Sequence, residues 1–191
     1  MKTIILASAS PRRKALLKQL GLKFKVDTGV QEEVLTADEY PHQLARHISL
    51  RKALSVAGNY QDAIIIAADT FGIIDGQILG KPHSENEARD MLQTISGLCH
   101  AVITGFTIVD TDTNKTISSS VETKVFIRPL TPMEIENYVK SGEPLDKAGA
   151  YAIQGLGAVI VEKIEGDYAN VMGLPLCALA TALKEFGINV L

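Results

Sequence analysis

The chain has 191 residues, of which 46% are hydrophobic, and its formal net charge is −3. This length allows a buried core in one large domain or in two small lobes around a cleft, and this composition excludes a disordered chain. The mild negative charge argues against a nucleic-acid partner, so any phosphate site must be a local cluster of basic side chains.

Two cysteines and four histidines are too few and too scattered for a disulfide framework or a zinc site. We find no secretory signal and no apolar run long enough to cross a membrane. The expectation is a cytoplasmic protein without a membrane partner. The sequence leaves open whether the chain forms a homodimer.

The first thirty residues predict a strand, a helix and a second strand. Residues 3–7 read as a short buried strand, and Ser10 followed by Pro11 is typical of a helix start. Gly21 is placed to end that helix, and residues 24–26 predict the second strand.

A longer helix and a buried strand are predicted next. A capping box at residues 36–39 opens a helix that carries Leu44, Ile48 and Leu54 and ends at Gly58. Residues 63–68 are apolar throughout, as in a central strand covered on both faces, and we expect this strand to stop at Asp69-Thr70.

The second half of the chain predicts a hairpin between helices, and hence a mixed sheet in an α/β or α+β fold. The predicted elements are a capped helix from residues 84–87 to Gly97, hairpin strands at 100–109 and 117–127, a capped helix from 131–134 to about Ser141, a glycine-rich loop at 146–157, a strand at 158–164 and a last helix at 174–186.

Two arginines, Arg12 and Arg13, fall in the first turn of the first predicted helix. A helix N-terminus already carries free N–H groups and partial positive charge, so this placement is unfavourable unless an anion lies opposite. The hydroxyls of Ser8 and Ser10 lie in the same turn, and together these groups predict a phosphate site. A solvated arginine pair is the alternative.

Asp69 is a candidate general base or metal ligand, because a carboxylate at a buried strand needs a cation or hydrogen bonds to stay ionised. A turn or capping aspartate is the alternative. Glu32 or Glu33 would complete a hard-oxygen site for Mg²⁺ or Mn²⁺ together with Asp69.

Lys81 lies between Gly80 and Pro82, which suits a loop lysine that acts as a point charge for phosphate, with a solvated lysine as the alternative. Residues 76–82 are not a P-loop, because the glycine spacing is one residue short and Pro82 replaces the Ser or Thr. Residues 155–157 lack the third glycine of a dinucleotide fingerprint.

Five motifs in this order, spanning nearly the whole chain, resemble those of the Maf family of nucleoside triphosphate pyrophosphatases. They are Ser8-Ala9-Ser10-Pro11-Arg12-Arg13, Ala68-Asp69-Thr70, Gly80-Lys81-Pro82, Asp146-Lys147-Ala148-Gly149-Ala150-Tyr151-Ala152-Ile153-Gln154-Gly155 and Gly173-Leu174-Pro175-Leu176. Phe71-Gly72 departs from the small β-branched residues that the family often has after the aspartate and threonine.

The resemblance implies a single two-lobed domain over residues 1–191, with a curved mixed sheet, flanking helices, a central cleft and a relation to the inosine triphosphate pyrophosphatase fold. It implies a metal-dependent house-cleaning hydrolase that splits a nucleoside triphosphate into monophosphate and pyrophosphate. Asp69 matches the family's proton acceptor, and Arg12, Thr70 and Gln154 match positions that separate substrate subgroups. The pattern is similar to the dTTP and UTP subgroup rather than the 7-methyl-GTP subgroup.

Our hypothesis from the sequence is that Asp69 activates water and binds Mg²⁺ or Mn²⁺ with Glu33, while Arg12, Arg13, Lys52 and Lys81 clamp the phosphates. The alternatives are a non-catalytic nucleotide or nucleic-acid binding protein in cell-division control, and a related enzyme that prefers 7-methyl-GTP. Binding alone needs no buried acid, so Asp69 discriminates between catalysis and binding.

Overall fold

The computed structural model describes residues 2–29 and 40–191. The capping box at 36–39 and the candidate ligands Glu32 and Glu33 lie outside the described residues. Within the described ranges the strands are β1 Thr3–Leu6, β2 Phe24–Val26, β3 Ala63–Ile74, β4 Gln77–Leu79, β5 Cys99–Asp110, β6 Thr116–Ile127 and β7 Val161–Glu165, and the helices are α1 Pro11–Gln19, α2 Pro41–Ala57, α3 Glu85–Ile95, α4 Pro132–Lys140, α5 Tyr168–Met172 and α6 Leu176–Lys184.

The strands form a mixed sheet in the order β2-β1-β3-β5-β6-β7, with β4 paired to β3. β1 is parallel to both β2 and β3, whereas β4 and β7 pair antiparallel with β3 and β6. Helices separate most of the strands along the chain. The predicted mixed α/β architecture is therefore confirmed.

The predicted end of the third strand at Asp69-Thr70 is wrong, because β3 runs on to Ile74. Its last residues, Gly72 to Ile74, pair with β4. Asp75 and Gly76 make the turn, with φ of 47° and 77°. Positive φ at both central residues is typical of the tight hairpin turns that match strand twist, so the pairing carries β3 past Asp69.

Two compact units divide the chain, and strands β3, β5 and β6 each contribute to both. The first unit holds residues 1–69, 104–121 and 172–191, and the second holds 70–103 and 122–171. The arrangement of two lobes around a cleft stays a prediction.

The first unit has a core in which α2 packs on β1 and β3. Ile5 of β1, Ala7 directly after it, and Ile65 and Ala67 of β3 share one core with Ala53 and Val56 of α2. Residues 63–68 are buried at every position, as a strand covered on both faces requires. Leu54 of α2 is 53% exposed because it lies off the stripe formed by Leu44, Ile48 and Lys52.

The second unit has its own core, in which α3 and α4 pack with β6 and with Tyr151. Both helices start at predicted caps. Ser84 accepts the Glu87 N–H, and Thr131 with Glu134 forms a complete capping box. These local signals fix where each helix begins.

The chain after α4 differs from the prediction in two places. The predicted strand at 158–164 begins only at Val161, because Gly155–Val159 forms a 3₁₀ turn in which Ile160 N–H bonds the Gly157 carbonyl. The short helix α5 was not predicted. In the parts of the chain that the structure describes, no helix has both the length and the apolar character needed to span a bilayer.

Candidate active site

The turn between β1 and α1 is built by its two serines. Ser10 caps α1 by accepting the Arg13 N–H at 3.4 Å, and the Ser8 hydroxyl, which is buried, accepts the Ser10 N–H at 3.3 Å. The Arg13 guanidinium also donates to Ser8 Oγ at 3.3 Å. Both hydroxyls therefore hold the start of the helix in place, and their contact with substrate stays a prediction.

The two arginines of this turn have different surroundings. Arg13 Nε donates to the Gly173 carbonyl at 2.8 Å, which ties α1 to the segment just before α6. Arg12 is half-buried and has no ion pair or hydrogen bond among residues 2–29 and 40–191. The first turn of α1 contains no acidic residue. Arg12 therefore has no counter-charge among the described residues, which is the condition that favours a bound anion at this side chain.

Asp69 and Lys52 form an ion pair that the sequence analysis did not predict. Lys52 Nζ lies 2.5 Å from Asp69 Oδ1, and the two side chains are only 9% and 14% exposed. A carboxylate with so little solvent stays charged when a cation is in contact with it, and the ammonium needs the carboxylate for the same reason. The pair keeps a charged, oriented carboxylate in the interior of the first unit.

Lys52 reaches Asp69 because it lies on the buried face of α2. Ala45, Ser49 and Val56, at helical spacing before and after it, are fully buried. A lysine within an otherwise apolar helical stripe was the available sequence signal, since such a side chain needs a buried partner. The predicted contact of Lys52 with a phosphate oxygen stays a prediction.

Gly105 of β5 allows α2 to lie close to the strand that faces it. A Cβ atom at Gly105 would come within 2.1 Å of the Ala45 carbonyl oxygen. Ser49 and Thr107, joined by a buried hydroxyl contact of 2.8 Å, fix the next turn of the helix against the same strand. Helix and strand thus meet backbone to backbone at a point seven residues before Lys52.

The second unit carries the other predicted site residues, Thr70, Lys81 and Gln154. Thr70 is half-buried, whereas Lys81 and Gln154 are exposed. The carbonyl of Gly80 accepts the Gly149 N–H at 2.9 Å, so the loop that bears Lys81 is joined to the glycine-rich segment that precedes Gln154. Within this unit the structure therefore brings two of the five motifs into contact.

The donor set for a divalent cation is defined in part. Asp69 supplies a carboxylate, one of whose oxygens binds Lys52, and Glu33 lies outside the described residues. The described ranges contain no cluster of three or more His, Cys, Asp or Glu side chains that could hold a metal. Mg²⁺ binds through one or two carboxylates and takes its other ligands from phosphates and water, so the donor chemistry of Asp69 fits this cation.

Fold and site together define an α/β protein with a basic helix start and a buried carboxylate–ammonium pair, a combination suited to phosphate chemistry. Residues 3–186 match the family described as Maf-like protein. The chain belongs to this family.

Several relatives with similarity over the full length of the chain have the name dTTP/UTP pyrophosphatase. That of Methanococcoides burtonii is 50% identical over 191 residues, covering 100% of this chain and 98% of its own. That of Pelotomaculum thermopropionicum is 46% identical over 191 residues, covering 100% of both chains. That of Thermoanaerobacter sp. strain X514 is 50% identical over 190 residues, covering 98% of this chain and 99% of its own.

Among solved structures, a nucleoside-triphosphatase/dITP/XTP pyrophosphatase from Mycobacterium abscessus aligns with 73% of this chain and 95% of its own. The TM-score is 0.42 and the sequence identity 15%. A likeness of this size carries no argument, so the relation to the inosine triphosphate pyrophosphatase fold stays a prediction.

Proposed function

We propose that this protein hydrolyses dTTP and UTP between the α and β phosphates, giving the monophosphate and pyrophosphate. The observation that carries the proposal is the 46–50% identity, over essentially the full chain, to relatives named dTTP/UTP pyrophosphatase. The Lys52–Asp69 pair supports it, because it supplies an ionised carboxylate where a water molecule must lose its proton.

Asp69 acts as the general base in this proposal. Its Oδ1 atom is fixed by Lys52, which leaves Oδ2 to accept a proton from the attacking water. The ammonium group of Lys52 has a second role in this proposal. It offsets the negative charge that builds up on the phosphates as they react. Lys52 is therefore proposed both to pair with Asp69 and to contact the substrate.

The basic residues bind and orient the triphosphate. Arg12 offers a planar guanidinium at the N-terminus of α1. Arg13, in the same turn, is held by hydrogen bonds to the Gly173 carbonyl and the Ser8 hydroxyl. Lys81 adds a point charge from the Gly80 loop. Phosphoryl chemistry depends mainly on such positioning and charge stabilisation, which these cations supply.

A divalent cation, Mg²⁺ or Mn²⁺, is part of the proposal, with Asp69 and Glu33 as its protein ligands. When bound, it would neutralise the triphosphate and lower the pKa of a coordinated water. The side chains of Ser8 and Ser10 remain candidates for contact with phosphate oxygens.

Base selection is assigned to Gln154 and Thr70, together with Arg12. The neutral amide of Gln154 can both donate to and accept from the edge of an uncharged pyrimidine, whereas a carboxylate would suit a cationic methylated guanine. UTP and dTTP are therefore preferred over 7-methyl-GTP.

The exposed free thiols of Cys99 and Cys177 suit a reducing compartment, so we also propose a cytoplasmic location.

The test is a panel of UTP, dTTP, CTP and 7-methyl-GTP with Mg²⁺, in which kcat/KM is measured for the wild-type chain and for Gln154→Glu. UTP and dTTP are expected to be the best substrates, and Gln154→Glu is expected to lower kcat/KM for UTP about 10-fold or more, because a base acceptor would face a carboxylate. Equal loss on all four nucleotides would remove the assigned role of Gln154. Nucleotide binding without hydrolysis would favour a binding protein.

A further inference from the structure

The segment that carries Gln154 is held on both sides by one pair of side chains from the same unit. On its N-terminal side, the Ala152 N–H donates to Tyr138 Oη at 3.1 Å. On its C-terminal side, the N–H groups of Leu156 and Gly157 donate to the Glu143 carboxylate at 3.0 and 2.8 Å. Gln154 lies in the middle, extended at φ −115° and ψ 167°.

Tyr138 and Glu143 are joined to each other, so the two anchors form one network. Tyr138 Oη donates to Glu143 Oε1 at 2.8 Å while accepting from Ala152. Tyr138 belongs to α4 and is buried in the core of the second unit. Because Tyr138 is fixed in a packed helix, the network holds the backbone on either side of Gln154 in a fixed position relative to α4.

The charge of Glu143 matches this task. Burial opposes its ionisation, but hydrogen bonds from Gly157, Tyr138 and Leu156 hold its pKa below the ordinary value. A carboxylate accepts all three donors at once, whereas an amide or a protonated acid would turn a donor toward at least one N–H.

The glycines of the segment are explained by the same carboxylate. Gly155 has φ +73°, and a Cβ there would lie 2.3 Å from Glu143 Oε2. A Cβ at Gly157 would lie 2.1 Å from the Ala152 carbonyl oxygen and 2.5 Å from Tyr138 Oη. Gly155 and Gly157, which have no Cβ atom, thus allow Glu143 and Tyr138 to lie close to the backbone.

We propose that Tyr138 and Glu143 are positioning residues for base recognition, which act by fixing the backbone from which Gln154 reaches the nucleotide. The inference rests on the proposed function and assigns a specific device to it. Neither residue contacts substrate in this account. A hydrogen-bonding group displaced by about 1 Å loses its contact with the base, so loosening the anchors removes the benefit of Gln154.

A double-mutant cycle tests the proposal, because residues that act through one another are non-additive. The variants are Glu143→Gln, Gln154→Ala and their combination, with Glu162→Gln, an exposed residue of β7, as the control. Glu143→Gln is expected to lower kcat/KM for UTP about 10-fold in the wild-type background and less than about twofold in the Gln154→Ala background. Losses that multiply would overturn the proposal.

Hydrogen exchange gives a second readout that needs no catalysis. The Leu156 and Gly157 amides are expected to exchange at least about 10-fold faster in Glu143→Gln than in the Glu162→Gln control. Tyr138→Phe keeps the packed ring and is expected to free the Ala152 amide in the same way, which covers a Glu143 variant that does not fold. Unchanged exchange in these amides would overturn the anchoring role. A wild-type chain that does not hydrolyse UTP would refute the proposed function, while the exchange data would still decide whether the anchors hold the segment.

Discussion

At the scale of single residues, the contact between Lys52 and Asp69 determines what a substitution at either position does. The sequence predicted both residues for the site but assigned Lys52 to phosphate, because nothing in a linear pattern joins residues 17 positions apart on a helix and a strand. Because the pair is buried, a substitution at either position is expected to change the free energy of unfolding as well as turnover.

Asp69→Asn is expected to lower turnover about 10²- to 10⁴-fold, because the amide cannot accept the proton from water. It is also expected to lower the free energy of unfolding by about 1–3 kcal/mol, because the buried contact between the Lys52 ammonium and a carboxylate is lost. Urea unfolding and steady-state kinetics measure the two effects.

The matched variant is Asp69→Asn combined with Lys52→Met. Since this double change removes the buried cation as well, it is expected to recover most of the lost stability and none of the activity. Recovery of activity would show that Asp69 is needed only to neutralise Lys52.

Arg12 and Arg13 are expected to separate binding from stability. Arg12→Ala removes a charge that opposes the helix dipole and has no described partner, so the melting temperature should hold or rise while KM for UTP increases. Arg13→Ala removes the contacts to Gly173 and Ser8 and is expected to cost about 1–3 kcal/mol of stability. Identical melting temperatures and kinetics in the two variants would contradict this division.

His100 is expected to make stability depend on pH. Burial lowers its pKa from 6.5 to about 4, and the ring contacts Tyr151 Oη through Nε2 at 2.8 Å. Because the unfolded chain binds the proton more readily, the stability that neutral His100 contributes is complete above pH 6.5 and is lost as pH falls toward 4. Between pH 7 and pH 5 this loss should be about 2 kcal/mol.

The measurement for His100 is urea unfolding at both pH values for the wild-type chain and for His100→Gln, whose amide does not titrate in this range. Asp110 and Glu134, whose pKa values are lowered to about 2, contribute mainly below pH 5. The difference between the two proteins therefore isolates His100. Equal pH dependence in both would contradict the assignment.

At the scale of elements, the sequence predicted best where the signal is local. Ser10, Ser84 and Thr131 each cap a helix as their spacing indicates, since a cap depends on residues three positions apart. Residues 36–39 lie outside the described part of the chain, and α2 begins only at Pro41, after Tyr40, whose side chain makes no capping hydrogen bond, so the predicted capping box does not open this helix. Helix positions nonetheless leave open which side chain meets which strand.

The errors at this scale have identifiable causes. The Asp75-Gly76 pair between apolar residues is the strongest short-range hairpin signal, and it would have predicted β4 and the continuation of β3. The late start of β7 was harder to predict from the sequence. Residues 158–160 are apolar enough for a strand, but Gly155–Val159 forms a 3₁₀ turn, so the strand begins only after it.

Gly105→Ala is the substitution that tests how α2 positions Lys52. The added methyl would lie 2.1 Å from the Ala45 carbonyl oxygen, so the helix must shift, at an expected cost of about 1–3 kcal/mol and with a loss of turnover. Gly58→Ala at the end of the same helix is the control, with φ −62° and open space around its Cβ, and it should be neutral or slightly stabilising. Unchanged stability and turnover in Gly105→Ala would contradict the close approach.

At the scale of the whole molecule, the candidate site residues come from distant parts of the sequence. Ser8, Arg12, Lys52 and Asp69 belong to the first unit, whereas Lys81 and Gln154 belong to the second. The motifs identified all of these residues except Lys52, because each motif is a short local pattern. Their pairings were not predictable, since the Lys52–Asp69 contact arises only when α2 packs on β3. The Tyr138 and Glu143 anchors likewise bind amides 13 or 14 positions further along the chain.

The central claim is that the chain splits UTP between its α and β phosphates with Asp69 as the base. The most direct measurement is a ³¹P NMR time course of UTP with Mg²⁺, run in parallel for the wild-type chain and for Asp69→Asn. The expected result is UMP and pyrophosphate in equal amounts, without orthophosphate, and a rate at least about 100-fold lower for the variant. Formation of UDP with orthophosphate, or equal rates in the two proteins, would contradict the claim.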